Sequence, residues 1–374
     1  MKENKNMRLL QITASKVWRG HEQQIVYYYD EFKNKIEHQV LLCTPDTHLS
    51  KIATAKKYNF QTLPFKSEYD LKWMKKINQI IIEDRIDVIL IHNSTAHTMC
   101  VISSLIYGWK TPMLFFRTLI KKVDTNFFRK WKYNYKGLKK IVCVSEAVKS
   151  VLLSAINDHS RLSIVGSATD LSEFGNTQKK GLLHKELGLE SNTKIIANIS
   201  AFVPFKDHIT FVNSAELISK KIPNCIFILI GKGELEQEIK NYVNLKGLND
   251  VVLFLGFRKD IPEIFPEFDL FLFTSKLEPT GGVLLESYAS MIPIVASRAG
   301  GIPEVIIENK TGLLCEKENA SDFAEAAIKI LTTPNLKIEL VENGYKHLKA
   351  NFTKEIIANK MLEEISQVYL NSKK

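Results

Sequence analysis

Short apolar runs alternate with segments of helical spacing along nearly the whole chain. Residues 8–13, 38–43, 88–92, 112–116, 141–145 and 162–165 each read as a buried strand. Helical spacing over 24–32, and a helix ending near Asp84, fall between them. The polar stretch 175–180 suits a linker, after which the pattern restarts. Strands are expected at 194–200, 226–230, 251–254 and 269–274, with helices at 209–220 and 235–245. Helices are also expected at 323–331 and 355–369. Strand and helix in regular alternation mean βα units and a parallel sheet, so the pattern predicts an α/β chain of two doubly wound domains. No repeat of solenoid length and no low-complexity segment interrupts it.

The stretch 271–304, FLFTSKLEPTGGVLLESYASMIPIVASRAGGIPE, carries most of the candidate chemistry. A strand ends at Ser275, and a short loop holds Glu278, Pro279, Gly281 and Gly282. Residues 283–289 turn helical, 294–297 form another strand, and Gly300-Gly301 leads to a further helix start near Pro303. In an open parallel sheet, loops at the C-terminal strand ends bind ligands. Two glycines at a helix start let backbone N–H groups approach an anion, and the helix dipole adds favourable charge. Glu286 lies a little over one turn on, about 7 Å along the axis. Its carboxylate could accept hydrogen bonds from a ribose diol while a diphosphate rests on the glycines. Glu278 could reach the hydroxyls of whatever the diphosphate carries. A Gly-Gly pair is often only a turn, and an exposed helical Glu is usually solvated.

As a whole, the Glu278-x7-Glu286 pair, with LLE before SYA and PIVAS…GGIPE after it, resembles the donor-site signature of glycosyltransferase family four, the retaining enzymes of GT-B fold. That resemblance implies two Rossmann-like domains facing across a cleft. It assigns residues 1–174 to an acceptor-side domain and 175–354 to a nucleotide-sugar-binding domain, with a terminal helix 355–374 packing back on the first. It implies that Glu286 binds the ribose, Glu278 contacts the transferred sugar, and Gly281, Gly282 and Val283 hold the diphosphate. Lys206, in SAFVPFKDH, matches the family lysine on the diphosphate, although taken alone it reads as a surface lysine. VGSATDLSEF at 165–174 is similar to the family's hinge, with Ala168 for the usual Gly. RGHEQQ at 19–24 resembles the glycine turn after the first strand, which brings in Gly20, with His21 where a second Gly is common. Met291 stands where the family usually has Gly, a change expected to alter packing under the loop rather than chemistry.

Two departures touch the chemistry. Ala201 replaces an Arg often found five positions before the lysine, with Lys232, Lys276 and Arg298 as candidate substitutes. Where many members carry a His against the donor sugar, this chain has Phe116 or Arg117; Arg117 is taken as the catalytic candidate, with His92 and His97 as further histidines near the same strand ends. Charge growing on a leaving diphosphate must be stabilised by a metal or by fixed cations and dipoles. The sequence has no Asp-x-Asp pair, so no metal and no cofactor are expected. The donor is expected to be a UDP- or GDP-linked sugar.

Composition narrows the setting. With 374 residues, 45% hydrophobic and 25% charged, the chain suits two soluble domains. No apolar run approaches the roughly 18 residues of a membrane span, and the N-terminus lacks a signal-peptide pattern. Five scattered cysteines without C-x-x-C fit buried thiols in a reducing cytoplasm. A net charge of +10 favours an anionic partner: nucleotide, membrane surface or nucleic acid. Helix-turn-helix and base-stacking signatures are absent, so nucleic acid is not expected. A dinucleotide oxidoreductase would need G-x-G-x-x-G after the first strand; the nearest match, Gly231-Lys232-Gly233, has Glu236 at the third place.

The segment 121–140, KKVDTNFFRKWKYNYKGLKK, has eight basic residues opposed only by Asp124. As one helix it would place Phe127, Phe128, Trp131, Tyr135 and Leu138 on a face against the sheet, and Arg129, Lys132, Lys136, Lys139 and Lys140 outward. That basic face is expected to hold the chain against an anionic bilayer. The combined expectation is a cytoplasmic retaining, hexosyltransferase-type enzyme, at the inner face of the plasma membrane. It would pass sugar to a glycan or lipid-linked acceptor in bacterial polysaccharide or lipopolysaccharide synthesis. The alternatives are a GT-B epimerase or phosphorylase, or an inactive accessory subunit.

Overall fold

The computed structural model describes residues 6–18, 20–123, 127–175 and 178–373. Arg19 of the glycine turn, Asp124 of the basic segment and residues 176–177 of the linker lie outside the described residues. The chain forms two compact units, Met1–Ala168 with Lys354–Lys374, and Thr169–Thr353.

The first unit holds a seven-stranded sheet: β1 (Arg8–Ile12), β2 (His38–Cys43), β3 (Phe60–Thr62), β4 (Val88–Ile91), β5 (Met113–Arg117), β6 (Leu138–Cys143) and β7 (Leu162–Ile164). The order is β3-β2-β1-β4-β5-β6-β7, and every pairing is parallel. The runs behave as their composition dictates: β4, VILI, is buried throughout, as a strand covered on both faces must be. The helix Lys354–Lys373 packs on the helix Gly20–Phe32 and across β4, β5 and β6. Lys140 pairs with Glu364 at 2.5 Å, and Lys373 with Asp87 at 2.9 Å, which pins this helix at both halves.

The second unit repeats the plan with β8 (Lys194–Ile199), β9 (Cys225–Ile230), β10 (Val252–Gly256), β11 (Leu270–Phe273), β12 (Ile294–Ser297) and β13 (Leu313–Cys315), in the order β10-β9-β8-β11-β12-β13. Alternate residues enter two cores. Ile195, Ala197, Ile228, Phe271 and Phe273 join Leu284 and Tyr288 on one face; Ile196, Phe227, Leu229, Leu270 and Leu272 join Phe211 and Phe323 on the other. Both units are Rossmann-like.

Three local results differ from the sequence pattern. The strands β3 and β13, three residues each, are not among the strands expected from the pattern; β3 reads FQT, with two polar residues. Thr169–Phe174, read as the end of the first domain, packs with the second unit, because Phe174 is buried beside Leu183 and Phe265. Thr169 also bridges to Thr353, so the two places where the chain passes between the units adjoin. At the crossing, the buried Gln24 clamps the backbone of Ala168, accepting from its N–H at 2.9 Å and donating to its carbonyl at 3.1 Å.

The third difference is a correction. The segment 121–140 is not one amphipathic helix. Among its described residues only Phe127–Tyr133 is helical, and from Leu138 the chain is already β6, held by the pairing of Leu138 with Met113 on β5. The faces are partly exchanged: Phe127 is 87% exposed and Phe128 43%, whereas Lys132 is buried. Burial of Lys132 is possible because its ammonium donates to Thr98 Oγ1 at 2.8 Å.

Candidate functional site

In the second sheet the winding reverses between β8 and β11, and at such a switch point the loops leaving adjacent strands part to form a crevice. The loop after β8 carries Lys206; the loop after β11 carries Glu278. The structure brings these two together: the Lys206 ammonium donates to the Glu278 carboxylate, both side chains half-buried. Lys206 also lies over the Phe273 ring at 4.9 Å, a cation–π contact on an apolar floor.

The loops are stitched to one another. Thr274 Oγ1 donates to the Asp207 carbonyl at 2.9 Å, and the Lys276 amide donates to the Phe205 carbonyl at 2.8 Å. Asp207 has a left-handed backbone, φ 53°, and caps the helix His208–Ser219 by accepting from the Thr210 amide at 3.3 Å, with a second bond from Thr210 Oγ1 at 2.7 Å. A strained residue held by a cap fixes the direction of the lysine before it. His208 stacks on Phe202, its centroid 4.4 Å away, and its ring meets Ser200 Oγ at 3.0 Å. Burial, with Lys206 nearby, lowers its pKa to about 4, so it stays neutral.

Glu278 is held from the other side by the Gly300-Gly301 turn. The Gly301 amide donates to the Glu278 carbonyl at 2.8 Å. Gly300 adopts φ 56°, and a Cβ there would come within 2.1 Å of that carbonyl oxygen, so only glycine fits. Gly281, also left-handed, precedes the helix Gly282–Ala289, and no side chain caps that helix start. The first-turn amides of Gly282 and Val283 therefore present a positive helix end suited to an anion. The carboxylate of Glu286, half-buried on this helix, accepts no hydrogen bond among the described residues. Burial, then the Glu173 carboxylate, pushes its pKa up to about 7.

Of the three cations that could stand in for the Arg absent at Ala201, two are neutralised. Lys276 pairs with Glu318 at 2.7 Å and Asp207 at 3.7 Å; Arg298 pairs with Glu308 at 2.6 Å and Glu316 at 3.2 Å. Among the described residues Lys232 is exposed and has no carboxylate partner, and its carbonyl accepts from the Phe202 amide beside Ala201 at 3.1 Å. Gly231 and Gly233 serve this close approach, since a Cβ on either would strike the backbone at Ser200 or Phe202.

The remaining sequence candidates belong to the first unit. Gly20 is exposed and opens the helix Gly20–Phe32. Arg117 ends β5 with its guanidinium buried, donating to Tyr133 Oη at 2.6 Å and to the Lys121 carbonyl at 2.7 Å. His92 is buried against Gln11 at 3.0 Å, its pKa lowered to about 3 by burial, then His21. His97 is buried between Phe115 and Tyr133, and burial and nearby cations hold it neutral. Both histidines are core residues. Asp207, Thr274 and Gly300 are not among the sequence candidates for the site; Asp207 shows in the sequence as an Asp three residues before Thr210 at a helix start, and Gly300 as half of a glycine turn. Among the described residues no group of three His, Cys, Asp or Glu side chains is placed to hold a metal ion, and no helix is long and apolar enough to cross a membrane.

Comparison with known proteins bears on the fold and the family. Residues 179–347 match the family Glycosyl transferases group 1. The UDP-Gal:alpha-D-GlcNAc-diphosphoundecaprenol alpha-1,3-galactosyltransferase of Escherichia coli is 24% identical over 75% of this chain and 77% of its own length. The N-acetyl-alpha-D-glucosaminyl L-malate synthase of Bacillus anthracis is 26% identical over 91% of this chain and 88% of its own. Anabaena HepE, solved with UDP and glucose, superposes with a TM-score of 0.83 at 18% identity, covering 97% of this chain and 100% of that one. A glycosyltransferase from Rickettsia africae gives 0.85 at 20% identity, covering 97% and 98%. Fold, matched segment and relatives agree that this chain is a glycosyltransferase of GT-B fold, resembling family four.

Proposed function

We propose that the chain transfers a sugar, with retention at the anomeric carbon, from a UDP- or GDP-linked donor to a glycan or lipid-linked acceptor in surface polysaccharide or lipopolysaccharide assembly. The observation that carries the donor reading is the meeting of Lys206 and Glu278 at the switch point, beside an uncapped helix start and an unpartnered Glu286. In this reading Gly281, Gly282 and Val283 hold the diphosphate through their amides, and Glu286 takes the ribose hydroxyls. Lys206 stabilises the charge that grows on the leaving diphosphate, and Glu278 contacts the transferred sugar. Lys232 is the candidate for the second cation. Gly20 and Arg117, in the first unit, are proposed to contact substrate. The acceptor class rests on relatives such as the diphosphoundecaprenol galactosyltransferase.

The test is a thermal-shift screen of nucleoside diphosphates followed by product analysis. A ligand at 100 times its dissociation constant adds about 2.7 kcal/mol of stability. A new glycosidic bond on an acceptor, with retained configuration by NMR, supports the reading; isomerised or phosphorolysed sugar alone overturns it in favour of an epimerase or phosphorylase. Contact with an anionic membrane at the cytoplasmic face rests on the exposed Phe127 and Phe128 beside Lys121, Lys122 and Lys130. Unchanged vesicle sedimentation on Phe127→Ser with Phe128→Ser would overturn that part.

A further inference from the structure

Two buried cations in the first unit have no carboxylate bonded to them among the described residues. Arg117, 5% exposed, donates among these residues to neutral oxygens: Tyr133 Oη, the Lys121 carbonyl and, at 3.5 Å, Ser94 Oγ. Its Nε has no partner. Lys132, 8% exposed, donates to Thr98 Oγ1 at 2.8 Å, and among the described residues it forms no ion pair. Both cations lie near the face of the same ring, Tyr133, at 5.7 Å. Among the described residues, Glu68 is a carboxylate near Lys132, and the Thr98 hydroxyl donates to it at 3.3 Å.

Their position makes the imbalance larger. Ser94 and Thr98 lie on the first turns of the fourteen-residue helix Ser94–Tyr107, whose N-terminal end is itself positive. Nothing in the helix geometry calls for two cations at that end, and a buried charge without a paired counter-charge is strongly destabilising. His97, on the same helix, has both ring nitrogens unpartnered and is kept neutral partly by these cations. The helix starts at the C-terminal end of β4, on the ligand side of the sheet, and Asn93, Ser94 and Thr95 are only half-buried there. An anion entering past these three would meet two free helix-start amides, with Arg117 and Lys132 behind them.

We propose that Arg117, Lys132 and the start of the helix Ser94–Tyr107 form a phosphate-binding site for the acceptor, so that the acceptor substrate carries a phosphate near the hydroxyl to be glycosylated. The proposal rests on the glycosyltransferase reading for its word acceptor, and the phosphate site is testable apart from it. Arg117 thereby acts on the acceptor and not on the donor sugar.

The experiment uses the Lys206→Ala chain, in which the donor cation is gone, and titrates it by calorimetry with glycerol 3-phosphate. Phosphatidylcholine vesicles with and without phosphatidic acid supply the lipid-borne form of the same group. Lys132→Met in that background should weaken phosphate binding about tenfold or more, the loss expected for one charge-assisted hydrogen bond. Because Lys132 is buried, its removal leaves the surface charge that attracts vesicles nearly intact. Glu68→Gln, which removes the opposing carboxylate, should tighten binding. Tighter binding to phosphatidic acid vesicles assigns a lipid-borne phosphate, and equal binding of both forms a soluble one; either supports the site. If Lys132→Met fails to fold, Arg117→Lys carries the same comparison, since it replaces a planar fork by a point charge. No saturable phosphate binding, or equal affinity with and without the Lys132 ammonium in folded protein, would overturn the proposal. Loss of nucleotide binding in Lys206→Ala with phosphate binding kept would separate the two sites; loss of both together would place the phosphate at the donor site and overturn the proposal as well.

Discussion

Glu286 should make nucleotide binding depend on pH near neutrality. In the free chain its carboxyl titrates at about 7 because burial disfavours the ionised form. In the proposed complex ribose hydroxyls donate to the ionised carboxylate, so binding should stabilise that form and lower the pKa. With a pKa of about 7, roughly one chain in ten is ionised at about pH 6, and roughly nine in ten at about pH 8. Affinity for a nucleoside diphosphate should therefore rise about tenfold across that interval and level off above it. The same group works against the fold as pH rises. A carboxyl with a raised folded pKa binds its proton more tightly than the unfolded chain does. Its stabilising effect is complete at low pH and is lost between the ordinary 4.5 and about 7. Glu286→Gln should thus be more stable than wild type above about pH 7, by about 1–2 kcal/mol once partial exposure is allowed for, while binding nucleotide more weakly. Calorimetry of UDP and GDP from about pH 6 to pH 8, on both proteins, reads the first effect. The Gln variant cancels the phosphate's own ionisation near pH 6. Parallel affinity profiles for the two proteins would refute the assignment of Glu286 to the ribose.

Three further substitutions test neighbouring features. Glu278→Ala frees Lys206 from its ion pair, so the bare nucleoside diphosphate should bind as well or more tightly, whereas the nucleotide sugar should bind more weakly; equal loss for both ligands in calorimetry would argue against the division. Met291 occupies a left-handed position, φ 55°, just after the helix Gly282–Ala289, which explains why the family usually has Gly there. That conformation costs a non-glycine residue about 1–2 kcal/mol, so Met291→Gly should raise the melting temperature by a degree or more despite the looser unfolded chain; a fall would mean that the Met side chain packs more than its half-buried state suggests. Gly344, on the helix Pro334–Asn351, lies under the Tyr288 ring, and a Cβ there would come within 2.5 Å of it. Gly344→Ala should therefore destabilise by about 1–3 kcal/mol in denaturant unfolding, since Tyr288 is also tied to Thr311 at 2.8 Å.

The alternation of apolar runs with helical spacing was enough to read both parallel sheets, because a strand buried on both faces must be apolar along its length. The loop after β11 was equally legible as a local unit: Glu278, the glycine pair and Glu286 are close in sequence, and a helix start keeps them close in space. What sequence order could not settle is which charges meet. Lys206 and Glu278 are 72 positions apart, and the winding reversal between β8 and β11 joins them. Lys276 and Arg298 read as free cations until carboxylates from other loops neutralise them. The basic segment misled for the same reason. Helical periodicity assigns faces only where the helix continues, and the pairing of Leu138 with Met113 ends it early. Lys132 then turns inward to Thr98, 34 residues away in the chain. Local pattern is written in residues a few places apart, but the neutralisation of a charge depends on partners that only the folded chain brings within a few ångströms.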